Sequence, residues 1–254
     1  MKIYYYTHRG KVRKNNEDSI LIQDRLYHEV NFENLKETEI NQNEILLCVA
    51  DGLGGHEKGE IASFLVLDTL RKSKIKNQND LLNSLSYSKQ VLNEYAKKNP
   101  NAFGLGTVIA GIFFMSEYAI VFNVGDCRVY LYNKEKKLAR ISKDHSVVEE
   151  LKDRGFLLEG EERYHPEKHV VTSWISGDNE SKIPKVFFRS YPISFFRGGR
   201  ILICSDGLWE AIPGEDMEQC FVLDNPQFVG ECLIRKTFLN GAFDNISFIL
   251  VENV

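Results

Sequence analysis

The chain has 254 residues and is 43% hydrophobic, an ordinary fraction for a globular protein that buries a substantial core. Lys plus Arg number 32 against 36 Asp plus Glu, and the resulting net charge of −4 argues against a nucleic-acid partner, which asks for a basic excess. No apolar stretch approaches the ~18 residues that cross a bilayer, and residues 1–9 lack the apolar core and cleavage site of a signal peptide. The expectation is a cytoplasmic protein with no membrane contact.

Residues 3–6 read as a first strand and 19–23 as a second, followed by a polar segment, 24–44, read as a loop or partly ordered hairpin. The apolar run Ile45 to Ala50 is a buried strand, too short for a helix. It ends on Asp51-Gly52-Leu53-Gly54-Gly55-His56. Helical spacing of Ile61, Ala62, Leu65, Val66, Thr69 and Leu70 predicts an amphipathic helix over 58–73. A second helix covers Leu81 to Ala96, with Pro100 beyond its end. Strands follow at 107–115, 118–124, 128–132 and 138–141, with connections as short as those of antiparallel hairpins. Residues 145–157 return to helix, with Gly155 placed as its C-terminal glycine. The charged stretch 159–179 reads as a surface excursion. Strands resume at 185–191 and 200–204, a helix covers 227–239, and a strand closes the chain at 246–252. There are no repeats or linkers, so residues 1–254 are expected to form one domain, with antiparallel sheets at the centre and amphipathic helices covering them.

The five cysteines, Cys48, Cys127, Cys204, Cys220 and Cys232, include no Cys-x-x-Cys pair and are odd in number, which predicts reduced, packed thiols.

One design recurs along the chain: an apolar strand that meets an acid. Asp51 ends 45–50, Asp206 follows 201–204, Asp126 follows 120–124, and Asp244 stands just before 246–251. For each pair alone, Asp-Gly is an ordinary turn signal. Four carboxylates at strand ends suggest one convergent site. Two carboxylates ~4 Å apart repel by about 1 kcal/mol in water and about 4 at an intermediate dielectric, so such a cluster needs cations. Oxygen-only ligation points to magnesium or manganese rather than zinc. Near the chain start, Glu17 and Asp18 follow Arg13. Arginine is commonly a solvated surface residue, but its planar guanidinium is also suited to bidentate phosphate binding.

Arg13-x-x-x-Glu17-Asp18, Asp51-Gly52-x-Gly54-Gly55-His56, Gly104-x-Gly106-Thr107, Val124-Gly125-Asp126-x-Arg128, Asp144-His145-Ser146, Ser205-Asp206-Gly207-Leu208 and Asp244-Asn245-x-Ser247 occur in that order. The series resembles that of the metal-dependent protein serine/threonine phosphatases of type 2C, in their compact bacterial form, across nearly the whole chain. Each motif alone is weak; seven in order are specific.

The resemblance implies an α+β fold, a four-layer α-β-β-α sandwich of two central antiparallel sheets flanked by helices. It implies two tight Mn²⁺ or Mg²⁺ ions and a third, weaker one. Asp51 would bridge the two ions, with Glu17 and the Gly52 carbonyl on one and Asp206 and Asp244 on the other. Asp126 matches the ligand of the third. Arg13 matches the phosphate-binding arginine, and Asp18 would orient water from behind the ligands. The implied reaction is direct attack of metal-activated water on phosphoserine or phosphothreonine. The implied partners are phosphorylated proteins, including a cognate serine/threonine kinase or its substrates, met by a monomer in signalling. Residues 145–179 correspond to a flap beside the active site. Leu53 stands where eukaryotic members carry a histidine, which leaves the proton donor unassigned. His56 is read as structural, Ser247 replaces a usual threonine, and the 24–44 segment exceeds the minimum.

Other enzyme classes fit less well. A metal-dependent nuclease could use the same acids, but no basic, aromatic-interleaved patch accompanies them. A catalytically dead module of the same fold would be expected to lose acids, and all are present. Neither a Gly-x-Ser-x-Gly elbow nor a P-loop occurs.

Overall fold

Strands whose apolar residues run without a break are buried on both faces, and this chain uses them to build two sheets back to back. The computed structural model describes residues 1–53, 58–133, 135, 137–158, 160–178 and 184–252. In chain order the first half comprises β1 (Lys2–His8), β2 (Ser19–Ile22), β3 (Arg25–His28), β4 (Lys36–Glu39), β5 (Ile45–Gly52), α1 (Gly59–Lys72), α2 (Gln78–Lys98), β6 (Gly106–Phe114) and β7 (Tyr118–Val124). There follow β8 (Arg128–Asn133), β9 (Lys137–Arg140), α3 (Val147–Asp153), β10 (Ile175–Ser176), β11 (Phe187–Pro192), β12 (Arg200–Cys204), α4 (Asp206–Trp209), α5 (Gly214–Phe221), α6 (Pro226–Leu239) and β13 (Ile246–Glu252).

One sheet runs β4-β1-β13-β12-β8-β9 and the other β11-β7-β6-β5-β2-β3, with β10 added beside β6; every pairing among the described residues is antiparallel. Period-2 alternation then sorts each strand's side chains into two interfaces. Ile45, Leu47 and Val49 of β5 meet Ile3, Tyr5, Ile201, Ile203, Ile249 and Val251 between the sheets. Their neighbours Leu46, Cys48 and Ala50 face Ala62, Val66, Leu67 and Leu85 of α1 and α2. On the other outer face, Tyr4, Tyr6, Leu202, Phe248 and Leu250 meet Met217, Phe221, Val229 and Leu233 of α5 and α6. The result is the expected four-layer α-β-β-α sandwich. Each fully buried large apolar side chain contributes about 1.5–3 kcal/mol, so these three interfaces hold the sheets' ends in register.

Several sequence expectations are corrected. The 24–44 segment is not a hairpin of its own: β3 forms a hairpin with β2 and β4 pairs with β1, so its two strands join different sheets. The connection from β7 to β8 is not a hairpin, because Gly125-Asp126-Cys127 carries the chain from one sheet to the other. Gly125 makes that crossing at φ +92°, and a side chain there would collide with Val108. The excursion after 159 returns to the core, where Ile175 and Ser176 are buried and pair with Thr107 and Gly106. Cys220 and Cys232, on α5 and α6, are joined by a disulfide, while Cys48, Cys127 and Cys204 are buried free thiols as expected.

The helix predicted at 145–157 is shorter: α3 starts after Ser146, whose side chain accepts from the Glu149 N–H, and Gly155 follows at φ +76°. Gly54, Gly55, His56 and Asn179 lie outside the described residues, so the motif glycines and the structural role expected for His56 are not placed. No helix among the described residues is long and apolar enough to cross a membrane.

Candidate active site

The ends of β5, β7 and β12, the start of β13 and the 9–18 loop open onto one cleft of about 840 Å³. Arg13, Glu17, Asp51, Gly52, Asp126, Asp206 and Asp244 all line it. Every candidate ligand named from the sequence is therefore brought to the same place, and Asp18 lies buried directly behind them.

Local chain geometry explains each position. Asp51 and Gly52 are the last residues of β5, and Gly52 has no room for a Cβ because the backbone of Gly59 at the start of α1 sits against it. The Thr107 hydroxyl donates to the Asp51 carbonyl at 2.6 Å, holding the strand end. Asp206 opens α4, with Ser205 alone between it and β12, and Asn245 alone separates Asp244 from β13. The Arg13 loop is fixed by Asn245. Its side-chain amide donates to the carbonyls of Arg9 and Asn15, at 3.1 and 2.9 Å, and its Oδ1 accepts from the Glu17 N–H at 2.8 Å. Asp18 is held by the Ser205 hydroxyl at 2.9 Å, and that hydroxyl accepts from the Ser247 N–H at 3.0 Å. Ser247, at the usual threonine position, places its hydroxyl 2.7 Å from that of Thr7.

Crowding so many acids raises their proton affinities. Burial, followed by repulsion from Asp18, Asp206, Asp244 and Asp126, pushes the Asp51 carboxyl far above the carboxylate range. Burial and the Asp126 and Asp244 charges do the same at Asp206. Asp18 is pushed up to about 7, chiefly by burial. Asp126 also rises to about 7, through burial and then the neighbouring Asp144. Glu17 is raised by burial and Glu60.

Arg13 is the cation that meets this cluster, and Nη2 donates to Asp244 Oδ2 at 2.7 Å. As they stand, no three Asp, Glu, His or Cys side chains among the described residues are drawn tightly enough to hold an ion.

Several residues that line or support the cleft were not singled out from the sequence. Lys168 and His169 reach it from the flap segment, and Glu210 from the end of α4. His169 Nδ1 lies 2.8 Å from Glu210 Oε1. His145 ties the flap's base to the crossing turn: its N–H donates to the Gly125 carbonyl at 2.8 Å, and its Nδ1 accepts from the Gly125 N–H at 3.1 Å. Asn245 carried a signal, its place beside Asp244 in the last motif. Glu210 and His169 carried none, being 41 residues apart.

The family model for protein phosphatase 2C matches residues 8–151. The chain belongs to the protein phosphatase 2C family. It is 27% identical over 264 aligned residues to the serine/threonine phosphatase stp of Listeria monocytogenes, covering 99% of this chain and 96% of that protein. With the protein phosphatase PhpP of Streptococcus pneumoniae it shares 28% identity, covering 99% of this chain and 97% of that one. The crystal structure of the serine/threonine phosphatase Stp1 from Staphylococcus aureus superposes with a TM-score of 0.81 at 26% identity, covering 99% of this chain and 95% of that one. In this protein phosphatase 2C member the six-stranded and seven-stranded sheets and their flanking helices are those of the family's sandwich.

Proposed function

We propose that this protein phosphatase hydrolyses phosphoserine and phosphothreonine in proteins, using divalent Mn²⁺ or Mg²⁺, by direct attack of water on phosphorus. The observation that carries this is the convergence of Glu17, Asp51, Asp126, Asp206, Asp244 and Arg13 on one cleft. The donor set fits a hard cation. It is all oxygen, and the buried Asp18 Oδ1 and Asp206 Oδ1 take no hydrogen bond among the described residues. Glu17, Asp51 and the Gly52 carbonyl would hold one ion, Asp51, Asp206 and Asp244 a second, and Asp126 a third, weaker one. When bound, the ions supply Lewis acidity that makes hydroxide available near neutral pH and offsets the phosphate charge.

The chain's own residues do the rest. Arg13 leaves Asp244 to grip the phosphate with its planar guanidinium. Asp18, fixed by Ser205, would orient the attacking water from behind the ligands. Buried Thr107 and Asn245 hold the strand end and the Arg13 loop, which fixes the backbone that carries the acids. The flap, 145–179, bounds the cleft through Lys168, His169 and Val171 and gates substrate entry. We read residues 1–254 as one catalytic domain, acting as a cytoplasmic monomer on phosphoproteins that include a cognate kinase or its substrates.

Phosphate release from a phosphothreonine peptide tests the proposal. Mn²⁺ should support turnover and a chelator should abolish it. Undiminished turnover in excess chelator would overturn the metal requirement.

A further inference from the structure

Between the flap segment and the sheets lies a second cavity of about 200 Å³. Asp126, Lys168 and Glu210 line both this space and the catalytic cleft, so the two are neighbours across the Asp126 carboxyl. A peptide with its phosphate in the cleft can therefore place a nearby side chain here. The Arg128 guanidinium lies over Trp209, its Cζ 3.4 Å from the ring centre, and both line the cavity. Val148, in the first turn of α3, and Tyr164, at the rim, add apolar surface.

Four acids, Asp126, Asp144, Glu162 and Glu210, line the cavity beside two cations, Arg128 and Lys168, while Arg140, Lys152 and His169 pair with Asp144, Glu162 and Glu210 from outside the lining. Asp144 is decisive, because its side chain is only 3% exposed. Its Oδ2 accepts from Arg128 Nε and Nη2, at 2.9 and 2.7 Å, and lies 2.9 Å from Arg140 Nη1. Its Oδ1 is buried and takes no hydrogen bond among the described residues. A buried acceptor left unpaired is costly, and a cationic donor would satisfy it best. An anion would meet the wrong sign of charge. A cation on an apolar stem suits both the walls and the acceptors.

We propose that this cavity receives a lysine or arginine side chain of the phosphoprotein, a few residues from the phosphorylated one, and so selects substrates with a basic flank. The stem lies along Val148 and Tyr164, and the charged head meets the Asp144 carboxylate. The proposal rests on the phosphatase function and names which substrates that function prefers.

The test uses phosphothreonine peptides that differ at one position at a time, from three residues before to three after the phosphothreonine, carrying Lys, Arg, Ala or Glu. A small aryl phosphate serves as the control. A basic residue at one or two particular positions should lower KM about tenfold relative to Ala with little change in kcat, the size of one charge-assisted contact. Val148→Phe, which fills the cavity, should abolish that preference in an enzyme that still hydrolyses the aryl phosphate. Asp144→Asn should weaken it; if loss of the Arg128 and Arg140 pairings unfolds that variant, Val148→Phe alone decides. An equal gain at every position would mean a long-range charge effect, and a preference that survives Val148→Phe would place the contact elsewhere. Either result, or no preference at all, overturns the proposal. Failure to hydrolyse even the aryl phosphate with Mn²⁺ would instead overturn the phosphatase function beneath it.

Discussion

Arg13 donates to Asp244 at 2.7 Å, so the proposed phosphate anchor and a proposed metal ligand hold each other. Both side chains are partly exposed, at 48% and 36%, and a pair of this kind is worth at most about 1 kcal/mol. Metal and phosphate can therefore separate it easily. Arg13→Ala should raise KM for phosphate esters more than it lowers kcat, as expected of a residue that binds the ground state. In the absence of phosphate the same variant should bind Mn²⁺ as tightly as the parent, or up to about fivefold tighter, because Asp244 is freed. Calorimetry alongside steady-state kinetics measures both; an unchanged KM would place Arg13 outside the phosphate site.

Asp206 distinguishes a functional cluster from a structural one. Burial and its acidic neighbours make its charge costly, and Oδ1 has no hydrogen bond among the described residues. Asp206→Ala should lower turnover at least about 10²-fold, the loss expected for a strong electrostatic contact in the transition state. The metal-free variant should melt no lower than the metal-free parent, because a repelling group has been removed. A stable variant within a few fold of wild-type turnover would show that the metal site does not use Asp206.

The raised carboxyls make metal binding depend on pH. An unfolded aspartate titrates near 3.9, whereas Asp18 and Asp126 in the metal-free fold hold their protons to about 7. Between these values the folded protein binds more protons than the unfolded chain, so these groups make the metal-free protein lose stability as pH rises from about 4 through 7. Binding a cation requires the ionised forms. Mn²⁺ affinity should rise steadily from pH 6 to pH 8 with release of protons. Calorimetry in two buffers of different ionisation enthalpy counts those protons; binding with no release would contradict the assignment.

Asp126 sits on the three-residue crossing between the sheets. Were it only a turn residue, Asp126→Ala would cost a little stability and leave catalysis alone. As the ligand of a third, weaker ion, it should lose most activity on phosphoprotein while the fold and the two tight sites persist. Metal stoichiometry measured beside kcat on a phosphothreonine peptide separates the outcomes. Wild-type turnover in a folded, two-metal variant would remove Asp126 from the mechanism.

Uninterrupted apolar runs made β5, β12 and β13 legible in the sequence, and the acids at their ends made the site legible too. The crossing at Gly125 was not, because the length of a connection does not say which sheet receives the next strand. α5 escaped notice although Met217, Cys220 and Phe221 stand at helical i, i+3, i+4 spacing, because its eight residues span barely two turns. Its disulfide to Cys232 joins two helices whose approach depends on the sheet beneath them. The flap's contact through His169 and Glu210 is a long-range pairing of common polar residues that leaves no pattern in the chain, whereas His145 and Gly125 each stand in a motif and only their pairing needed the fold. Local periodicity carried the strands and helices; tertiary packing alone set the rest.

Diffraction at the manganese absorption edge from crystals grown with Mn²⁺ locates the ions themselves. Two strong anomalous peaks should appear in the cleft. Glu17, Asp51 and the Gly52 carbonyl should touch one, Asp51, Asp206 and Asp244 the other, with Arg13 turned away from Asp244. An active enzyme whose manganese sits elsewhere, or whose cleft carries no peak, would contradict it.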